Sequence, residues 1–359
     1  MPVFLDPGPS GYDPASRAQG ILGRPPAEFD ESAANCIDIG LLNNMPDAAL
    51  QLTERQFATL IDSSAGGIVV RLSLYALPDI PRADSGRCHL SRFYSGIEKL
   101  WDSHLDGLIV TGTEPRTANL MDEPYWGSLV KVLEWAEHGT HSTIFSCLGA
   151  HAALLHFDRI GRRRLNDKCF GLFDCTRVSD HPLMAGVPSR FAMPQSRWNG
   201  IPENQLNGCG YRILTRAGRA GVDIFVKQRN NLLVFFQGHP EYEANTLLLE
   251  YRRDVKRYLR RETATYPEMP RGYLDTGAAD ALTAFRNRAL GDRREELLED
   301  FPAARAQGGL ARTWQSAASC VYGNWLSCLS MQKERWLRTA VLQRVKCGKG
   351  SARNHLAAC

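Results

Sequence analysis

Several features are missing from this chain of 359 residues. No apolar run approaches the ~20 residues that a membrane-crossing helix needs. The start, MPVFLDPGPSGYDPASR, lacks the basic stretch followed by an apolar stretch that marks a secretory signal. None of the ten cysteines forms a C-x-x-C pair, and the nearest neighbours are Cys169 with Cys175 and Cys320 with Cys328. Scattered thiols without a signal point to free cysteines in a reducing compartment, the cytoplasm. Their spacing gives little support to a zinc site, so no metal and no bound cofactor are expected. A G-x-x-x-x-G-K-S/T phosphate loop is absent, and so are internal repeats. The net charge of +4 is small for the length and argues against a dedicated nucleic-acid binder, whose domain concentrates basic residues on one face.

What is present is ordinary for a soluble globular protein: 43% hydrophobic and 23% charged residues. Short apolar runs read as strands buried on both faces. They are Cys36–Asn43, Ile68–Ala76, Gly107–Thr111, Ser142–Cys147, Asp223–Val226 and Leu232–Gln237. Helical spacing recurs between them, over Leu52–Ile61, Tyr125–Glu137, Ala150–Phe157 and Ala244–Leu259. Strands alternating with helices predict an α/β fold with a doubly wound, mostly parallel sheet. Asp158–Ala220 breaks the alternation. It is rich in Arg, Pro, Gly and Asn and reads as an inserted β-rich layer, with strand candidates at Arg190–Met193 and Tyr211–Thr215. Ala278–Leu290 and Arg293–Leu298 predict a helical C-terminal extension. Residues 1–35 read as a flexible extension, 36–330 as the catalytic domain and 331–359 as a solvated basic tail. From Gln332 onward that tail carries Lys333, Arg335, Arg338, Arg344, Lys346, Lys349 and Arg353 against Glu334 alone.

The chemistry gathers in two segments. STIFSCLGAHAALL puts Cys147 at a strand-to-helix junction, the geometry of a nucleophile elbow. Gly149 lets the backbone pass closely through the turn, and Ala150, Ala152 and Ala153 let the helix approach the sheet. A thiol at a helix N-terminus meets the positive end of the dipole, which favours thiolate. The amide of Leu148, one residue on, can donate to an oxyanion. A cysteine at a strand end is by itself more often an inert buried thiol. The second segment, FFQGHPEYEANTLLLEY, changes that balance. His239 follows a strand, so it too sits at the carboxyl edge, where reactions in open α/β sheets gather. Glu241, two residues on, can orient the imidazole and stabilise its charged form. Cys147, His239 and Glu241 therefore form a candidate catalytic triad. In DGLIVTGTEPR a strand ends at Thr111-Gly112-Thr113, and an amide near Gly112 or Thr113 can complete the oxyanion hole.

CLGAH and GHPE resemble both signatures of the class I glutamine amidotransferases. The resemblance to the homoserine O-succinyltransferase family, which shares that fold, covers more of the chain. It rests on NNMPD with TERQF, DGLIVTG, EPYWGSLVKVLEWA, STIFSC, NDKCFGLF, PQSRW, GHPEYEANTL and YRRDV, and on a late segment through Trp314, Asn324 and Trp325. It implies acyl transfer in two half-reactions. Cys147 takes the acyl group of an acyl-CoA as a thioester, and His239 then activates the hydroxyl of L-homoserine. It further implies that Arg253 clamps the homoserine carboxylate and that Lys168 and Ser196 line the amino-acid pocket. The family also brings a homodimer into consideration, and the implied pathway is methionine biosynthesis.

The chain departs from the family at three places. The loop position that is usually Gly in succinyl-CoA users and Glu in acetyl-CoA users is Arg116 here, suited to pair with the free carboxylate of a succinyl group. Asp47-Ala48-Ala49 stands where relatives often carry lysines. The elbow reads CLGAH, with His151 expected behind the site rather than in it. Succinyl-CoA is thus the favoured donor, with acetyl-CoA, a serine acceptor or glutamine amide hydrolysis as alternatives. No nucleic acid or membrane is among the expected partners.

Overall fold

The computed structural model describes residues Val3–Leu5 and Cys36–Ser351, with side chains as far as Thr339. The first strands are β1 (Val3–Leu5), β2 (Cys36–Leu42), β3 (Val69–Tyr75), β4 (Leu105–Val110) and β5 (Thr140–Ser146). An insert follows, with β6 (Arg163–Arg177), β7 (Arg190–Gly200), β8 (Arg212–Ile213), β9 (Thr215–Ala217) and β10 (Gly221–Val222). The chain then returns through β11 (Ile224–Gln228) and β12 (Leu232–Phe236). The main sheet has the order β1-β3-β2-β4-β5-β12-β11-β8, parallel from β1 to β12 and antiparallel at β11 and β8. This is the predicted doubly wound, mostly parallel α/β sheet.

The apolar runs are continuous because both faces are covered. In β4, Leu108 and Val110 enter one core and Ile109 the other. Helix α1 (Asp47–Ser64) covers one face, turning Leu50, Phe57 and Ile61 inward. Helices α2 (Trp126–Gly139) and α3 (Leu148–Asp158) supply Leu129, Val132, Leu133, Ala150 and Ala153 to the opposite core. Helix α4 (Thr246–Leu259) follows β12 and buries Leu247, Leu248, Tyr251 and Val255. The winding reverses beside β2: β3 lies on one side of it and β4 on the other. Two loops meet at this reversal, where the Asn44 amide donates to Thr111 Oγ1 (2.8 Å) and Asn44 Nδ2 to the Thr111 carbonyl (3.2 Å).

The insert forms a second sheet, β10-β9-β6-β7, dominated by the long β6–β7 hairpin. Its strands run well beyond the short candidates read from the sequence, because their exposed faces are polar and conceal the alternation.

Two segments differ from expectation. Val3–Leu5, within the stretch read as a flexible extension, is an edge strand paired with Val70–Leu72. Three apolar residues suffice there because Val3 and Phe4 are buried against the sheet. The remainder of residues 1–35 lies outside the described residues. At the other end, helix α5 (Gln315–Ser351) runs straight through the boundary drawn at residue 330. Trp325 and Leu329 pack where Gly107 leaves room in β4, and Trp325 Nε1 donates to Ser142 Oγ (3.0 Å). Burying a side chain of that size contributes about 3 kcal/mol. Lys333, counted with the solvated basic tail, instead donates to Asp106 (2.7 Å), Asp38 (3.2 Å) and the Cys36 carbonyl (2.7 Å).

Candidate active site

Cys147 connects β5 to α3 with φ 48° and ψ −109°. A side-chain-bearing residue held there stores roughly 1–3 kcal/mol of strain. The surroundings hold it in place. Its amide donates to the Phe236 carbonyl (2.8 Å) at the end of β12, and its carbonyl accepts from Ala150 and His151. Glycines make the elbow possible on both sides. A Cβ on Gly149 would lie 2.7 Å from the Val110 carbonyl oxygen, so the start of α3 abuts β4. A Cβ on Gly112 would lie 2.5 Å from Leu148 Cβ and 3.1 Å from the Leu148 nitrogen, so the loop after β4 touches the first turn of α3. The structure thus brings Gly112, in the loop after β4, against Leu148, the residue after the cysteine.

His239 arrives from the end of β12. Its amide donates to the Pro194 carbonyl (2.9 Å), and its Nδ1 is 2.8 Å from Glu241 Oε1. Burial disfavours imidazolium, yet the Glu241 carboxylate and the neighbouring Cys147 sulfur outweigh it and hold the His239 pKa well above the usual imidazole value. Glu241 is 7% exposed, and its second oxygen has no partner among the described residues. Gly238 is required by crowding, since a Cβ there would lie 2.5 Å from Met193 and 2.6 Å from Gln195. The Gly238 amide donates to buried Asp223 (2.9 Å), which also accepts from Gln195 Nε2 (2.7 Å). Asp223 therefore braces the turn that delivers His239. Nothing in the sequence marked it beyond its place at a strand start.

Beside the triad lies a charged cluster. The Tyr242 ring stacks on His239 at 4.2 Å, and its hydroxyl donates to Glu250. Ser196, from β7, donates to the other Glu250 oxygen. Lys168, from β6, donates to Asp254 (2.8 Å), stands 4.0 Å from Glu250 and lies over the Phe170 ring at 4.0 Å. Arg253 donates to Asp254 (3.0 Å) and approaches Glu250 to 3.8 Å. Although burial opposes it, Lys168 and Arg253 hold the Asp254 carboxyl below its ordinary pKa. Lys168, Ser196 and Arg253, far apart in sequence, thus meet around Glu250. The sequence reading missed Glu250 and Tyr242. Glu250 sits one helical turn before Arg253, the spacing that puts both on one face of α4, and this was the signal available.

Two other residues lie elsewhere. Arg116 is exposed on the rim of a cleft of ≈ 370 Å³ that Thr113 also lines. His151 is buried behind the elbow with Nε2 3.3 Å from Gln237, and burial lowers its pKa to about 3. It stays neutral, behind the site as expected. Among the described residues, no group of three or more His, Cys, Asp and Glu side chains could hold a metal ion.

This geometry can run nucleophilic acyl chemistry: a thiol on a strained elbow, a buried imidazole–carboxylate pair, and backbone at a helix N-terminus. Among known proteins, the family model for homoserine O-succinyltransferase matches residues 19–336. The chain is 44% identical to a homoserine O-succinyltransferase of Rhodopseudomonas palustris over 84% of its length and 90% of the relative. It is 46% identical to one of Methylorubrum extorquens over the same shares, and 42% identical to one of Bradyrhizobium japonicum over 85% and 94%. A solved glutamine amidotransferase of Methylobacillus flagellatus aligns over 82% of this chain and 95% of its own, at 13% identity and TM-score 0.46. By its family-model match and these relatives, the chain belongs to the homoserine O-succinyltransferase family.

Proposed function

We propose that this protein transfers the succinyl group of succinyl-CoA to the hydroxyl of L-homoserine through a Cys147 thioester. The observation that carries the reading is the conjunction of the Cys147–His239–Glu241 constellation with an amino-acid-sized cluster of fixed charges beside it. In the first half-reaction, His239 takes the thiol proton and Cys147 sulfur attacks the thioester carbonyl. The amides of Leu148 and Thr113 receive the developing oxyanion. The tetrahedral intermediate collapses, the bond to CoA sulfur breaks, and His239 returns the proton to the leaving thiol. In the second, His239 removes the hydroxyl proton of homoserine as its oxygen attacks the acyl-enzyme. Cys147 leaves and is reprotonated. Glu241 orients the imidazole and compensates its charge throughout.

The acceptor is a zwitterion, and the cluster is built from both signs. Arg253 receives its carboxylate and Glu250 its ammonium, with Lys168 and Ser196 fixing the Glu250–Asp254 pair. Arg116 faces the acyl chain. Arg116 lines the same cleft as Thr113, and its guanidinium suits a terminal carboxylate that succinyl has and acetyl lacks. Incubation with succinyl-CoA alone tests the proposal: one succinyl group appears on Cys147 by mass spectrometry and is discharged by homoserine. Absence of the adduct with any acyl-CoA, together with glutamine hydrolysis, would overturn it. Arg116→Ala narrows the preference for succinyl-CoA over acetyl-CoA; an unchanged ratio of kcat/KM values removes the role given to Arg116.

A further inference from the structure

The turn that follows the candidate base folds back onto it. The Tyr242 amide donates to the His239 carbonyl (3.3 Å), which closes a four-residue turn with Pro240 at its second position, where a fixed φ is favoured. The turn lays the Tyr242 ring on the imidazole, with centroids 4.2 Å apart and planes 19° from parallel. Glu241 and Tyr242 then constrain His239 in two different directions. The 2.8 Å contact between Nδ1 and Glu241 lies along the edge of the ring and leaves rotation about its own line open. A second ring on the face closes that freedom. The Tyr242 backbone is anchored as well, since its carbonyl accepts from Trp314 Nε1 (3.1 Å), and Trp314 is 1% exposed.

The far end of Tyr242 reaches a different part of the site. Its hydroxyl donates to one Glu250 oxygen, and Ser196 donates to the other. Burial and the Glu250 carboxylate push the Tyr242 pKa well above the ordinary phenol value, so the hydroxyl keeps its proton and its hold on Glu250 at neutral pH. One side chain thus touches the base with its ring and the amino-acid pocket with its oxygen. We infer that Tyr242 is a positioning residue that holds the His239 imidazole in register with the acceptor bound at Glu250. This rests on the homoserine reading above and deepens it. Homoserine carries its hydroxyl two methylenes from the α-carbon, so a pocket that grips its charged groups does not by itself aim the oxygen at the base. Proton transfer needs the two within about 2.6–3.2 Å. An error of about 1 Å can cost on the order of a hundredfold in rate. A rigid phenol strut between Glu250 and the imidazole fixes that distance. A water molecule attacking the same acyl-enzyme uses His239 but not the pocket, so it gains from the stacked ring and not from the strut.

The test uses the succinyl-enzyme of the full chain, freed of succinyl-CoA and followed by mass spectrometry as succinyl is lost from Cys147. Discharge is timed in saturating homoserine and in buffer alone, and the ratio of the two rates is compared. Tyr242→Phe keeps the stacked ring and removes the strut, so its ratio falls about tenfold while the rate in buffer changes much less. Tyr242→Leu loses the ring as well and slows discharge in buffer too; a Leu variant as fast in buffer as wild type shows that the ring does not hold the imidazole. An undiminished ratio in Tyr242→Phe overturns the inference. If only the homoserine concentration needed for saturation rises, the hydroxyl serves binding alone; if both rates fall together, its role is structural. Should Tyr242→Phe accumulate no succinyl-enzyme, Glu250→Ala cuts the strut from its other end and is judged by the same ratio. A wild-type enzyme that takes no succinyl group, or whose succinyl-enzyme ignores homoserine, overturns the acyltransferase reading itself, on which the strut rests.

Discussion

At the scale of single residues, the charge on His239 is set by its neighbours rather than by burial. Two groups favour its protonated form, the Glu241 carboxylate and the Cys147 sulfur. Removing one anionic neighbour removes part of the attraction for the proton, so the pKa must fall. We therefore expect Cys147→Ala to lower the His239 pKa, measured by the imidazole proton shifts in an NMR titration. The acyl-enzyme should behave in the same way, because a thioester carries no charge. The sign suits the proposed function, in which His239 holds the proton during thiol attack and gives it up when the acceptor hydroxyl needs a base. A value in Cys147→Ala equal to that of wild type would show that the sulfur does not contribute. The residue types of the candidate triad were legible because chemistry restricts them to few side chains, and because a strand end marks where they sit. Glu250 and Asp223 were not. A glutamate on a helix and an aspartate at a strand start are common on solvated surfaces, and only folding shows that one faces Tyr242 and Ser196 and the other the Gly238 amide.

At the scale of elements, the elbow depends on the separation between α3 and β4. Gly149 sets it, and Gly149→Ala would push a methyl group to 2.7 Å from the Val110 carbonyl. Overpacking against backbone costs about 1–3 kcal/mol and moves the first turn of α3. The expected outcome is a lower melting temperature together with a loss of kcat larger than any rise in KM, because the Leu148 amide shifts with the turn. A variant as active as wild type would show that α3 can retreat without disturbing the site. Buried strands declared themselves in the sequence because covering both faces demands unbroken apolar runs, as in Leu232–Phe236. The β6–β7 hairpin did not. Much of its pairing joins partners more than twenty residues apart, such as Phe170 with Ser196, and one of its faces is wet. Val3–Leu5 was too short to register any period.

At the scale of the whole molecule, the C-terminal helix is part of the fold. Lys333 bridges Asp38 and Asp106 on the neighbouring strands β2 and β4, and Asp106 is 4% exposed at its side chain. Deleting one partner leaves a buried charge uncompensated. Lys333 is itself partly solvated, so Lys333→Ala should cost about 2 kcal/mol, read as a melting temperature lower by several degrees. Adding Asp106→Asn should recover part of that loss; a double variant no more stable than Lys333→Ala would place the cost elsewhere. The basic composition of this end hid the role, because a lysine that closes an ion pair and one that faces water look alike in a sequence.

That helix also carries a consequence in time. Gln315–Ser351 is synthesised after every strand of the sheet it covers. Until it emerges from the ribosome, the hollow at Gly107 stays wet and Ser142 lacks its indole donor. The nascent chain can assemble the elbow early, but it cannot complete the core behind it. During synthesis the exposed seam along β4 and β5 is a surface on which chaperones can act and at which neighbouring nascent chains can stick.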